Sequence, residues 1–143
     1  MGLGPEAAAR KMCQEVKVRN YHIDSYGHVN NAQYLRYLED ARTDFFENLG
    51  LSIASLNARN IHIFITETNL RYRKPARVGD KLLVYGWFVK ISSRKATWQH
   101  EIFRKQDNAL ILTGQISGMF LKEGRLTTIP QDVRTSMLKI YIS

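Results

Sequence analysis

Asp24-Ser25-Tyr26-Gly27-His28-Val29-Asn30-Asn31 runs directly into AQYLRYLEDARTDFFENLG, Ala32 to Gly50. In the second part Tyr34, Leu35, Leu38, Ala41, Phe45, Phe46 and Leu49 recur at steps of three and four, which places them on one face of a helix. Asn30 suits the N-cap, with Gln33 three residues on as a capping-box partner, and Gly50 suits the stop. The first part is a polar turn carrying a carboxylate, an imidazole and two amides. A helix with so long an apolar stripe must bury it, and the remaining sequence decides against what.

Outward from this helix the pattern changes to period two. Residues 15–22, EVKVRNYH, read as a short half-exposed strand. A loop rich in Ser and Asn (Ser52, Ser55, Asn57, Asn60) leads to a long strand in which Ile61, Ile63 and Ile65 alternate with His62, Phe64 and Thr66, ending at Pro75. Residues 81–90, 95–105 and 109–122 read as three further strands on hairpin-length links, with Asp107-Asn108 suited to positive φ. Pro130 begins a short helix through about Leu138. The expected order is strand, long helix, four strands in a meander, small helix. One apolar helix and an antiparallel sheet of about five strands must bury each other, an α+β arrangement in which the sheet wraps the helix. Trp87, Phe88, Trp98 and Phe103 are expected to fill that interface. Gly86, Gly114 and Gly118 mark sharp curvature or close approach.

The 143 residues suit one domain, with a flexible leader over 1–14, the folded domain over 15–139 and a tail over 140–143. No apolar run approaches the roughly 20 residues of a membrane helix, and the opening MGLGPEAAARKM lacks the apolar centre of a secretory signal. Cys13 is the single cysteine, so no internal disulfide forms, and a reducing cytoplasm is expected. The formal charge of +8 suits an anionic partner, or serves solubility alone. Nucleic acid would call for aromatics interleaved with the basic residues on one exposed face, and Tyr72 alone is thin support for it.

The turn is where chemistry is expected. Unpaired N–H groups at a helix start polarise a carbonyl and stabilise the oxyanion formed on attack. Asp24 precedes Asn31 by seven residues, across a bend that Gly27 permits. A carboxylate beside such donors acts either as nucleophile or as base toward water. The same residue types also build ordinary turns and caps. No Gly-x-Ser-x-Gly elbow occurs, and no metal-ligand spacing stands out, so neither metal nor redox cofactor is implied. His62 and His100 lie in strands, packed or facing solvent. Arg71, Arg73, Lys74 and Arg77 form the strongest basic cluster, suited to phosphates or to the protection of a sheet edge.

These residues resemble a known signature. DSYGHVNNAQYLRYLEDAR is similar to the Asp-x-x-Gly-x-Val turn and aromatic helix of hotdog-fold acyl thioesterases of the 4-hydroxybenzoyl-CoA thioesterase type. ETNLRYRKPARVGDKLLV continues the likeness, which spans about Val16 to Val133. The resemblance implies Asp24 as the catalytic carboxylate and the Asn31 N–H as the donor to the thioester carbonyl. It implies Gly27 and Tyr34 at the substrate, the basic cluster on the carrier's phosphates, and active sites at the interface of a homodimer or homotetramer. Some members use a helix carboxylate, which makes Glu39 a reserve base, although Glu39 and Arg42 also suit an i, i+3 surface pair. Gly-His-Val-Asn-Asn further resembles acyl-ACP thioesterases of plant type. Tyr26 replaces their first Asn, and their Glu-Cys pair has no match at Pro75-Ala76, so a role for His28 rests on one residue. The implied activity is hydrolysis of an acyl-CoA, fatty or aromatic, with acyl-ACP as the alternative. A non-catalytic acyl-CoA-binding module is the rival, weakened because no DNA-binding segment accompanies it.

Overall fold

The computed structural model describes residues 10–143; residues 1–9, most of the expected leader, lie outside the described residues. The elements are β1 (Met12–Lys17), α1 (Asn31–Asn48), α2 (Ile53–Ala58), β2 (Ile61–Tyr72), β3 (Lys81–Ile91), β4 (Lys95–Arg104), β5 (Leu110–Lys122), β6 (Arg125–Leu126) and α3 (Gln131–Met137). The strands form one antiparallel sheet in the order β1-β3-β4-β5-β2, with the two-residue β6 on β5.

The sheet's inner face carries Leu82, Val84, Phe88, Trp98, Ile102, Leu112, Ile116 and Phe120, all buried, as are Leu38, Ala41, Phe45 and Phe46 on α1. Trp98 is the hub: its ring centroid lies 4.0 Å from that of Phe88, 5.7 Å from Phe46 and 6.0 Å from Phe45. Such tilted and edge contacts combine large buried area with favourable quadrupole geometry. At about 27 Å, α1 spans the width of the sheet.

The helix ends follow local chemistry. The Asn30 side chain accepts from the Ala32 N–H at 2.9 Å, a bond of about 1 kcal/mol. The capping box is not closed, because the Asn30 N–H donates to the His22 carbonyl instead of receiving Gln33. At the other end Gly50 takes φ +78, the Gly50 N–H bonds the Glu47 carbonyl and the Leu51 N–H bonds that of Phe46. That is the double closure of a Schellman motif.

Several expectations are corrected. The four later strands are not one meander: β2 is separated from β3 by β5 and β4, and pairs with β5. The first strand runs Met12–Lys17, starting before residue 15, and Asn20–His22 make a 3-10 turn. There the His22 Nδ1 accepts from the Arg19 N–H at 3.1 Å and meets the Tyr37 hydroxyl at 2.9 Å, bonds that curl the chain back. The supposed loop after Gly50 contains α2, capped by Ser52 and anchored by buried Leu56. Of the four aromatics, Phe88 and Trp98 face α1, whereas strand alternation puts Trp87 and Phe103 on the outer face. There the Lys11 ammonium sits 4.1 Å from the Trp87 ring, and Phe103 packs edge-on to Tyr85. The last residues are tied in: Ile140 is buried and the Ile142 N–H donates to the Phe88 carbonyl at 2.9 Å.

Candidate active site

Residues 23–29 fold into a tight hairpin closed by an Ile23–Val29 bridge. The Asp24 N–H donates to the His28 carbonyl at 2.8 Å, and the Gly27 N–H to the Asp24 carbonyl at 3.1 Å. Gly27 has φ +80, in the left-handed region that favours glycine. The Asp24 Oδ1 accepts from the Tyr26 N–H at 2.9 Å and the His28 N–H at 3.3 Å, which fixes the carboxylate plane. Among the described residues its Oδ2 accepts no hydrogen bond. The hairpin is pinned by the Val29 N–H, which donates to the Ala76 carbonyl at 2.9 Å. That bond holds the residues before α1 against the segment that follows β2.

The result is a hollow of about 230 Å³ lined by Asp24, His28, Val29, Asn31, Tyr34, Tyr72, Arg73, Lys74 and Pro75. Asn31 is the first residue of α1, and its N–H donates to no acceptor among the described residues. Its carbonyl accepts from the Tyr72 hydroxyl at 3.4 Å. Tyr34 and Tyr72 meet with ring centroids 5.7 Å apart, and burial pushes the Tyr34 phenol up from its ordinary range. A fixed carboxylate, a free helix-start N–H and two cations on one hollow are equipped to hold and polarise an anionic ester-like substrate.

Six predicted residues thus line one hollow: Asp24, His28, Asn31, Tyr34, Arg73 and Lys74. Gly27 shapes the hairpin behind them. Arg71 lies on the outer sheet face, sharing with Arg73 a polar depression of about 440 Å³ that includes Gln99 and Gln115. Arg77 lines neither space; its N–H donates to the Asp80 Oδ2 in the next turn. Glu39 does not approach Asp24 and lines a separate cavity with Arg42. The two make no ion pair, because Arg42 turns inward and its Nη1 contacts the His100 Nε2 at 3.4 Å. Leu38 is core and Leu35 is 41 % exposed, so neither lines the hollow. Tyr72 went unassigned, although alternation with Leu70 aims it at the helix. Among the described residues no group of three His, Cys, Asp or Glu side chains could hold a metal ion, and no helix is long and apolar enough to cross a membrane.

One long helix wrapped by a bent antiparallel sheet, with a polar hollow at the helix start, defines the hotdog class. The chain belongs to the thioesterase-like superfamily, whose profile matches residues 18–136, and is accordingly a thioester hydrolase. It is 31% identical over 124 residues to the long-chain acyl-CoA thioesterase FadM of Escherichia coli, covering 87% of this chain and 86% of that one. It is 29% identical over 125 residues to the chloroplastic acyl-acyl carrier protein thioesterase ATL3 of Arabidopsis thaliana, covering 87% of this chain and 66% of the plant protein. A hypothetical protein of Thermus thermophilus superposes with a TM-score of 0.86 at 28% identity, over 93% of this chain and 99% of the other.

Proposed function

We propose that this protein hydrolyses acyl-CoA thioesters to the free acid and coenzyme A, with Asp24 and the Asn31 N–H as its catalytic pair. The observation that carries this reading is the presence, on one hollow, of a carboxylate with an uncommitted Oδ2 and a helix-start N–H with no acceptor. The thioester oxygen accepts from the Asn31 N–H, which gains strength as charge develops on that oxygen. In one route the Asp24 Oδ2 attacks the carbonyl carbon, the C–S bond breaks, coenzyme A leaves as thiolate, and water cleaves the resulting anhydride. In the other, Oδ2 takes a proton from water, whose oxygen attacks the carbonyl carbon; the C–S bond breaks, and the proton passes from Oδ2 to the departing sulfur. Both leave Asp24 unchanged at the end of the cycle. Thioesters lack much of an ester's resonance, so a triad is unnecessary. Lys74 and Arg73 lie where the carrier's phosphates would approach, and His28 contributes its N–H to the turn.

The acyl group is a fatty chain in this reading, and coenzyme A is the carrier. An acyl carrier protein presents the same thioester and the same phosphate chemistry, so it forms the second arm of the test. The working unit is a homodimer joined through β2, whose outer edge pairs with no strand among the described residues and whose Phe64 is 61 % exposed.

The test is thiol release from short, long and aromatic acyl-CoAs and from acyl-ACP, comparing wild type with Asp24→Asn. Release by wild type that collapses in a folded variant supports the proposal. Binding of acyl-CoA without release from either carrier would make the protein a binding module instead.

A further inference from the structure

Behind the middle of α1 lies a second cavity of about 160 Å³, remote from Asp24 and largely apolar, with Ile63, Trp98 and Phe120 in its walls. Its size is close to that of protein cavities that accept a benzene molecule. Two of its residues do not belong in a plain hydrocarbon pocket. Arg42 lines it, half-buried, and among the described residues its guanidinium makes one hydrogen-bond contact, to the His100 Nε2 at 3.4 Å. Thr43 lines it too, its hydroxyl donating to the Glu39 carbonyl at 3.1 Å and so presenting bare lone pairs.

His100 is fully buried, and its Nδ1 meets the Tyr85 carbonyl at 3.0 Å, so Nδ1 carries the proton and Nε2 accepts. His100 therefore takes one guanidinium N–H from behind, and the other donors keep access to the solvent that enters the cavity. No carboxylate lies within ion-pair distance of Arg42 among the described residues. Burial accordingly pushes Arg42 down to about 10, an effect that the nearby Glu39 charge partly offsets. A half-buried guanidinium with donors open to an apolar cavity suits an acceptor that replaces the solvent there.

Both cavities lie where α1 faces β2: Tyr34 and Tyr72 line the first, Arg42 and Ile63 the second. Arg42 follows Asn31 by eleven residues, about 16 Å along the helix axis. A chain whose carbonyl sits at the Asn31 N–H reaches Arg42 only with its far end, and a single aromatic ring does not reach at all.

Resting on the thioesterase reading, we propose that this cavity receives the far end of a medium-length acyl chain and that Arg42 and Thr43 select one bearing a terminal hydroxyl. The hydroxyl oxygen accepts from Arg42 while its proton goes to the Thr43 Oγ1. A terminal methyl displaces the solvent that reaches the guanidinium and offers no acceptor in its place. A terminal carboxylate meets the Glu39 charge at the same cavity and lacks a proton for Thr43.

The test uses lauroyl-CoA, its ω-hydroxy derivative and its ω-carboxy derivative, with wild type and Arg42→Met checked for folding by circular dichroism. Wild type is expected to prefer the ω-hydroxy substrate in kcat/KM by about tenfold, with the ratio to lauroyl-CoA falling to near one in Arg42→Met. Should Arg42→Met not fold, Thr43→Val serves, with the same ratio expected to fall. Equal or faster hydrolysis of lauroyl-CoA by wild type, preference for the carboxylate, or an unchanged ratio in a folded variant would overturn the proposal. If no thioester is cleaved at all, the thioesterase reading fails by itself. The binding preference is then read by titration calorimetry of the same three compounds, and equal Kd values sink the selectivity as well.

Discussion

Gly86 on β3 and His100 on β4 face each other so closely that a Cβ on the glycine would lie 3.0 Å from the His100 Cε1 and 2.7 Å from the Phe45 ring. All three groups are locked in the core, where neither ring has room to withdraw. Gly86→Ala is therefore expected to cost about 1–3 kcal/mol, read as a lower urea midpoint at unchanged slope. A neutral or stabilising alanine would show that the sheet relaxes there.

Asp24 has two separable jobs. Asparagine keeps an Oδ1 that accepts from the Tyr26 and His28 N–H groups; alanine does not. Asp24→Asn should match wild type in stability, and Asp24→Ala should lose about 1 kcal/mol. Both are expected to lower kcat by about a hundred- to ten-thousand-fold. An active, destabilised Asp24→Ala would assign the carboxylate to the turn alone.

His100 gives the fold an acid-sensitive side. Burial, with the Arg42 charge beside it, holds its folded pKa down to about 3 against an ordinary 6.5, while the Tyr85 carbonyl acts in the other direction. The unfolded chain takes up this proton below pH 6.5, but the folded chain does so only near pH 3. His100 thus costs no stability above 6.5, and stability drains as pH falls through that window. His100→Gln should show a shallower fall in urea midpoint between neutral pH and a pH inside the window. An equally steep fall would assign the acid sensitivity to the carboxylates.

If β2 joins β2 of a second copy, sedimentation should give twice 16.6 kDa, with activity lost on dilution below the dissociation constant. Full activity from a monomer at every concentration would remove the dimer.

What the sequence made legible was local. The Asn30 cap, the apolar steps from Tyr34 to Phe46 and the Gly50 stop each act within a turn or two, and α1 followed from them. The hairpin at Asp107-Asn108, where Asn108 takes positive φ, was equally local. The neighbour of β2 was not legible, because alternation states which face a residue takes and says nothing about which strand lies beside it. The same gap separated Arg71 from Lys74: three residues apart, they end on different surfaces once the strand ends between them. That Asp24 and Lys74 share a hollow depends on long-range bonds, Val29 to Ala76 and Tyr72 to Asn31, that no spacing rule contains. Arg42 looked like half of a surface pair, since Glu39 stood at the right interval and His100 was far off in sequence.

The separation of β2 from its partner also orders events in time. Ile61 pairs with Lys122 and Tyr72 with Leu112, whereas β3, β4 and β5 join through short turns. Closing the longer loops costs more chain entropy before any contact repays it. The β3–β4–β5 ribbon is thus expected to assemble first, and β2 to dock late. A nascent chain carries β2 with both edges bare until about forty further residues have been made. Pulse-labelled hydrogen exchange during refolding should protect Trp98 and Ile116 amides before those of Phe64 and Ile65, and the reverse order would make β2 the nucleus. In that interval the apolar stretch Ile61–Ile65 is the segment most exposed to mispairing, and a chaperone would be expected to meet the chain there.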